Sequence, residues 1–367
     1  MFGKRLCNFC CNAHHAVSFY TETGMTPVIS GDMLRVDASG LWCERGGFYI
    51  DPWLPVPKAL ITHAHSDHAR PGSEAYLCSS SCGPLLRERL GPNIAMETLR
   101  YGESQRIGEV SVSFHPAGHV LGSAQIRVED KGERWVVSGD YKLDPDPTCT
   151  PFEPVPCHVF VTESTFGLPI YRWREQSEIL VSIHDWWRLN RQRGRCSVIF
   201  AYPLGKAQRL LAGLETAFPV FCHGAVERIN RVYRESGITL SETQNPLEAP
   251  RGYDWSQALV IAPPSAQGSP WMKRFGPYST AFVSGWMRIR GTRRRRSIDR
   301  GFVLSDHADW PGLQRAIKET GAERILVTHG YRQPMVRWLR EQGRQAAALE
   351  TRFEGERDEV EDAEKAE

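Results

Sequence analysis

The stretch that most constrains this chain is ALITHAHSDHARPG, Ala59 to Gly72. Its apolar opening, Ala59, Leu60 and Ile61, reads as the end of a buried strand that delivers a polar cluster into a turn. That cluster is Thr62 followed by His63, His65, Asp67 and His68. Neutral imidazoles and an ionised carboxylate are borderline-hard ligands suited to zinc. So many polar groups at once are satisfied only by a metal or by a dense set of buried partners. The chain is therefore expected to set these residues at the edge of a sheet and to bring further ligands to the same edge.

Several later stretches repeat the device of a strand ending in a ligand-type residue. Asp51 ends the run FYIDP just ahead of the cluster and is expected to orient a ligand imidazole through its other ring nitrogen. His119 sits in a Gly-rich turn between alternating apolar runs, whereas His115, four residues earlier on the strand, is expected to pack. WVVSGD presents Asp140, a carboxylate placed to bridge two metals, and HVFVTES presents Glu163. In the last block GFVLSDHADW places His307 beside Asp306 and Asp309, and ILVTHG ends in His329. This order of strands and ligands predicts a four-layer αββα sandwich with its ligands at strand ends.

Between about Leu168 and Arg300 the character changes. REQSEILVSIHDWWRLNRQRG has helical spacing, CSVIFAYPLG reads as a strand, GKAQRLLAGLE as a helix, and ALVIAPP and TAFVSGW as further strands. This alternation predicts a separate parallel α/β module at 168–300, flanked by 32–167 and 301–353. Lys206, and the turns at Ser265 and Ser284 with free backbone amides, are candidate phosphate contacts. Arg293 and Arg294 lie in a dense arginine run suited to a polyanion.

Composition narrows the class further. With 41% hydrophobic and 24% charged residues and no apolar run of the ~18–20 residues a membrane span needs, a cytoplasmic soluble protein is expected. Residues 1–31 read as a disordered leader, possessing Cys7, Cys10, His14 and His15 at a spacing that leaves an accessory metal site open. The ten cysteines are scattered and are expected to be reduced thiols. The tail 354–367 has eight acidic and two basic residues against a whole-chain formal charge of +2, so the body before it is basic and the tail is expected to be solvated.

Together these stretches resemble the β-CASP branch of the metallo-β-lactamase superfamily, a nucleic-acid-processing group. The form they match most fully is that of the bacterial DNA-ligase-associated exonucleases, through FYIDPWLPVPKALITHAHSDHARPG, TESTFGLP, YPLGKAQ and LSDHADWPGL. The resemblance implies a metallo-β-lactamase αββα sandwich with an inserted α/β β-CASP cap domain. It implies one zinc held by His63, His65 and His119, a second held by Asp67, His68 and His329, and Asp140 bridging, with manganese or magnesium able to support activity. His307, oriented by Glu163, would contact the scissile phosphate or protonate the leaving oxygen, and a 5′ exonuclease acting on DNA in repair, leaving 5′ phosphates, would follow. A DNA ligase or helicase would be the partner in that pathway. His329 is a feature shared with RNA-cleaving members, so RNA processing stays open beside DNA. A small-molecule hydrolase would have the histidine cluster but no need of Glu163, His307 and a basic inserted module, and a noncatalytic scaffold would bind through the arginines alone.

Overall fold

The computed structural model describes residues 32–214, 217–289, 291 and 297–352. The leader with its cysteines, Arg293 to Arg296 and the acidic tail lie outside these residues. The chain begins with six strands, β1 (Arg35–Val36), β2 (Leu41–Cys43), β3 (Phe48–Ile50), β4 (Lys58–Leu60), β5 (Ala75–Ser79) and β6 (Met96–Leu99), which form one sheet in sequence order. Three strands lie between Asp32 and Asp51, and the first, β1, is two residues long and pairs with β2 around Gly40. Helix α1 (Gly83–Leu90) follows β5.

A second sheet takes β7 (Ser104–Ile107), β8 (Val110–Pro116), β9 (Ala124–Asp130), β10 (Glu133–Val137) and β11 (Val159–Ser164). Strands β7 to β10 are antiparallel neighbours, while β10 and β11 run parallel. All six residues of β11, VFVTES, are buried, as befits a central strand covered on both faces.

The chain then leaves for a third sheet. After helix α2 (Gln176–Gln192) come β12 (Cys196–Phe200), α3 (Lys206–Gly213), β13 (Val220–Cys222), α4 (Gly224–Glu235), β14 (Leu259–Ala262), β15 (Tyr278–Val283) and β16 (Arg300–Phe302). The strands lie in the order β13-β14-β12-β15-β16 and every pairing is parallel. Helix α4 buries Val226, Ile229, Val232 and Tyr233 on one face, a helical spacing inside a stretch that also contains β13 and that composition alone leaves unmarked. The last strand of this sheet crosses position 300. The chain returns through α5 (Trp310–Glu319), β17 (Arg324–Gly330), α6 (Arg332–Glu341) and β18 (Gln345–Ala348), with β17 and β18 completing the second sheet beside β11.

Packing explains the layers. The first two sheets face each other across one core in which Phe48, Ile50, Leu60 and Leu77 meet Val112, Ile126, Trp135 and Leu326. Each such side chain contributes about 1.5–3 kcal/mol on full burial. On the far side of the second sheet, Phe160, Ile325 and Val327 are covered by Leu313 and Ile317 of α5 and by Met335 and Leu339 of α6. The far side of the first sheet meets α1 and the third sheet's helices through Tyr76, Leu85, Leu86, Ile183 and Leu210. The molecule is thus a mixed α/β fold, with a parallel module pressed against one outer face. All seven described cysteines are buried thiols without a disulfide.

Candidate metal centre

Strand register brings the ligand-type residues to one edge. Val161 of β11 pairs with Val137 of β10 and with Leu326 of β17, so Asp140, Glu163 and His329 all follow from strand ends that lie side by side. The cluster after β4 and the turn between β8 and β9 open onto the same edge, the usual position for a site beyond the carboxyl ends of parallel strands.

Four donor atoms converge there first. His65 Nδ1 lies 3.1 Å from both His63 Nε2 and His119 Nε2, and Asp140 Oδ2 lies 3.5 Å from His63 Nε2 and 3.8 Å from His119 Nε2. A tetrahedral ion with bonds of ~2.0–2.1 Å has ligand-to-ligand edges of about 3.4 Å, so these separations have the size of a zinc coordination shell. A second set shares the same carboxylate. His329 Nε2 is 2.7 Å from Asp140 Oδ1, and His68 Nε2 is 3.6 Å from Asp140 Oδ2 and from Asp67 Oδ2. His63, His65, His119 and Asp140 form one group that could hold a metal ion, and His68, Asp140 and His329 form another.

The outer nitrogens of these rings are held in turn. Thr62 Oγ1 lies 3.1 Å from His63 Nδ1, and the carbonyl of Leu204 accepts from His65 Nε2 at 3.2 Å. The carbonyl of Asp306 accepts from His119 Nδ1 at 2.8 Å. Asp51 Oδ2 accepts from His68 Nδ1 at 2.7 Å, while its two oxygens also take the amide and hydroxyl of Thr62. Such contacts fix the tautomer so that the inner nitrogen presents its lone pair to the shared space. Asp51 has φ 45, a left-handed conformation at a position gripped from both sides. The two carbonyls were invisible to sequence reasoning, because a backbone acceptor needs no particular side chain and Leu204 and Asp306 are far from the rings they hold.

Electrostatics divide the histidines. Burial holds His63 and His119 well below the usual imidazole range, with the charge of His68 adding to the effect on His63 and that of His307 on His119. Burial opposes charge on His68 too, but Asp67, Asp140 and Asp51 outweigh it and lift the group to about 10. Asp140, despite burial, stays well below the usual carboxylate range because His68, His329 and His307 surround it.

His307 stands beside this space with a carboxylate at its back. Its Nδ1 lies 3.0 Å from Glu163 Oε2 and 3.2 Å from Oε1, and Glu163 Oε1 also accepts from the Tyr141 amide at 2.8 Å. Burial opposes protonation of His307, yet Glu163 and then Asp140 raise it to about 10. The pair is therefore a buried imidazolium carboxylate beside two sets of metal-type ligands.

The remaining candidates fall elsewhere. Lys206 is fully buried and ion-paired through Nζ to Asp306 Oδ1 at 2.9 Å, so its ammonium is turned to the protein rather than to a solvent-facing groove. Ser284 is buried as well. Its amide donates to the Phe302 carbonyl and its hydroxyl accepts from Trp286, so the free amide expected there is already engaged. Ser265 is exposed in the turn after β14. Arg293 and Arg294 lie outside the described residues.

No family model matches the chain. A protein of Opitutus terrae named "Probable DNA ligase" is 32% identical over 315 residues, 84% of this chain and 30% of that protein. Cleavage and polyadenylation specificity factor 73 of Drosophila melanogaster is 33% identical over 123 residues, 33% of this chain and 18% of its own. Endoribonuclease ysh-1 of Neurospora crassa is 29% identical over 161 residues, 43% of this chain and 19% of its own. The chain spans less than a third of the length of these curated relatives. A solved structure from Enterococcus faecalis, of a protein of unknown function, aligns with a TM-score of 0.52 at 13% identity over 81% of this chain and 80% of its own, a likeness of fold alone. These relatives place the chain in the β-CASP group of metallo-β-lactamase proteins.

Proposed function

We propose that this chain is a metal-dependent nuclease, a two-metal hydrolase that cuts phosphodiester bonds of DNA from a 5′ end in repair and leaves 5′ phosphates. The observation that carries this reading is Asp140, whose carboxylate lies within 4 Å of two separate donor sets beside the Glu163–His307 pair. His63, His65 and His119 would hold one zinc, and Asp67, His68 and His329 the other, with manganese or magnesium able to substitute. When bound, such a pair of ions orients a water, lowers its pKa and draws charge from the phosphoryl oxygens. Glu163 holds the Nδ1 side of His307, so the role of protonating the leaving 3′ oxygen or contacting the phosphate would fall to Nε2, which lies 4.0 Å from Asp306 Oδ1. Asp51 holds His68 and Thr62 in place through the reaction.

In this reading 32–167 and 301–353 form a metallo-β-lactamase αββα sandwich and 168–300 a β-CASP cap, with β16 as the seam between them. DNA is favoured because the similarity to the protein named as a DNA ligase covers 84% of the chain, against 33–43% for the two RNA-processing relatives. RNA processing is the second reading, favoured by His329 and by the endoribonuclease match. A ligase or helicase of the same pathway is the partner. Seven buried thiols suit the reducing cytoplasm. The test is to strip the purified chain with a chelator, reload it with zinc or manganese, and run Asp140→Asn beside it on labelled DNA. Cleavage should return with metal in the wild type alone; cutting that survives chelation sinks the two-metal reading.

A further inference from the structure

The segment Leu204–Arg209 closes on the first donor set from the side of the inserted module. Its first residue gives its carbonyl to His65 Nε2 at 3.2 Å. Lys206, at the start of α3, pairs with the side chain of Asp306 at 2.9 Å, and the backbone carbonyl of that same Asp306 takes His119 Nδ1 at 2.8 Å. Arg209, one turn further along the same helix face, donates to the carbonyl of His119 itself at 3.3 Å and lies 3.4 Å from Asp146 Oδ2. Between them, Gly205 has φ 90, and a Cβ built on it would lie 2.4 Å from Val120 Cγ1, next to His119. The module's backbone abuts the ligand loop with no room for a side chain.

Neither Lys206 nor Arg209 is among the donors that face the shared space. Both are buried charges, and a buried ion pair is a poor stabiliser relative to apolar packing, because desolvation offsets most of the attraction. What the pairs do supply is geometry. The Lys206 ammonium anchors the loop that bears Asp306 and His307, and thereby fixes the acceptor that sets the tautomer and aim of His119.

We propose that Leu204–Arg209 is the positioning element of the first metal group, with Lys206 and Arg209 acting through Asp306 and His119, so that this group is complete only while the module is docked. The inference rests on the two-metal reading above. It makes the module a part of the metal centre rather than only a surface for substrate.

The test measures the two stepwise zinc affinities of the full chain by chelator competition, with melting of the metal-free protein followed by near-ultraviolet circular dichroism. Lys206→Met alone leaves Asp306 buried without its cation and is expected to damage folding. The informative variant is therefore Lys206→Met/Asp306→Asn, which leaves no unpaired charge at this pair, beside the wild type. The double variant should lose about 10–100-fold in one zinc step and change the other by less than about threefold. Two unchanged steps in a folded double variant would overturn the proposal, as would an equal fall in both steps together with a collapsed melting transition. A wild type that binds no zinc would overturn the metal reading itself, and this inference with it.

Discussion

Asp51 offers a perturbation whose consequences divide cleanly between stability and metal binding. The side chain is 1% exposed and accepts three hydrogen bonds, from the Thr62 amide at 2.8 Å, the Thr62 hydroxyl at 2.5 Å and His68 Nδ1 at 2.7 Å. Truncation by Asp51→Ala leaves these donors buried, at about 1–3 kcal/mol for each donor that finds no other partner. The alanine would also sit at φ 45, which adds roughly 1–2 kcal/mol of backbone strain. With all three donors stranded, a loss of about 4 kcal/mol or more in metal-free stability follows, enough to unfold a marginal domain. Asp51→Gly removes the same bonds without the strain penalty, and should recover about 1 kcal/mol over alanine after its own entropic cost. Asp51→Asn keeps an oxygen for Thr62 and tolerates the left-handed backbone, so its effect should concentrate on His68, with zinc affinity at one step down about 10–100-fold. Urea unfolding of the three metal-free variants and chelator competition on the asparagine variant provide the readouts. Glycine no more stable than alanine would refute the strain argument, and unchanged zinc affinity in the asparagine variant would refute the role assigned to Asp51.

Four further outcomes are expected. In the metal-free protein His63 and His119 are held neutral and take up protons on unfolding, so stability falls as pH drops below ~6.5. His68 and His307, raised to about 10, add stability present in full below ~6.5 and lost as pH rises toward 10, so urea midpoints should peak near neutrality and decline on both sides. Zinc loading at pH 8 should release about one proton from His68, read as a dependence of binding heat on buffer ionisation enthalpy; no dependence would contradict the charge assigned to it. Gly118→Ala places a Cβ 2.2 Å from the Lys142 carbonyl at φ 73, so it should cost more than about 2 kcal/mol in urea and disturb the His119 turn. Trp135→Ala, between the two facing sheets, should cost about 3–5 kcal/mol yet leave zinc stoichiometry at its wild-type value in whatever fraction remains folded.

The sequence made the site legible where chemistry is carried by side chains at strand ends. The cluster from His63 to His68, His119, Asp140, Glu163, His307 and His329 all stand within reach of one shared space, because each follows an apolar run that pairs into a sheet. The parallel module was legible for the same reason, since CSVIFAY and TAFVSGW are uninterrupted apolar strands next to helical spacing. Less legible were the short strands β1 and β13, whose few residues give no period to read. Lys206 was misjudged in the way a lone cation invites. Nothing local distinguishes a lysine that greets phosphate from one that meets Asp306 across 100 residues of chain. The carbonyls of Leu204 and Asp306 were beyond reach altogether, being backbone atoms whose role is set by long-range packing.

The central claim is tested most directly by cleavage of single-stranded DNA and RNA of one sequence, each with a 5′-phosphate or a 5′-hydroxyl and a 3′ label. The zinc- or manganese-loaded chain is run beside a His65→Ala/Asp67→Ala variant. The account predicts that 5′-phosphorylated DNA is shortened from its 5′ end to a ladder of 3′-labelled fragments that carry 5′ phosphates, a ladder lost in the variant. Faster cutting of RNA would transfer the site to the RNA reading, and no cutting of either polymer by the loaded chain would contradict the claim that this metal centre is a nuclease.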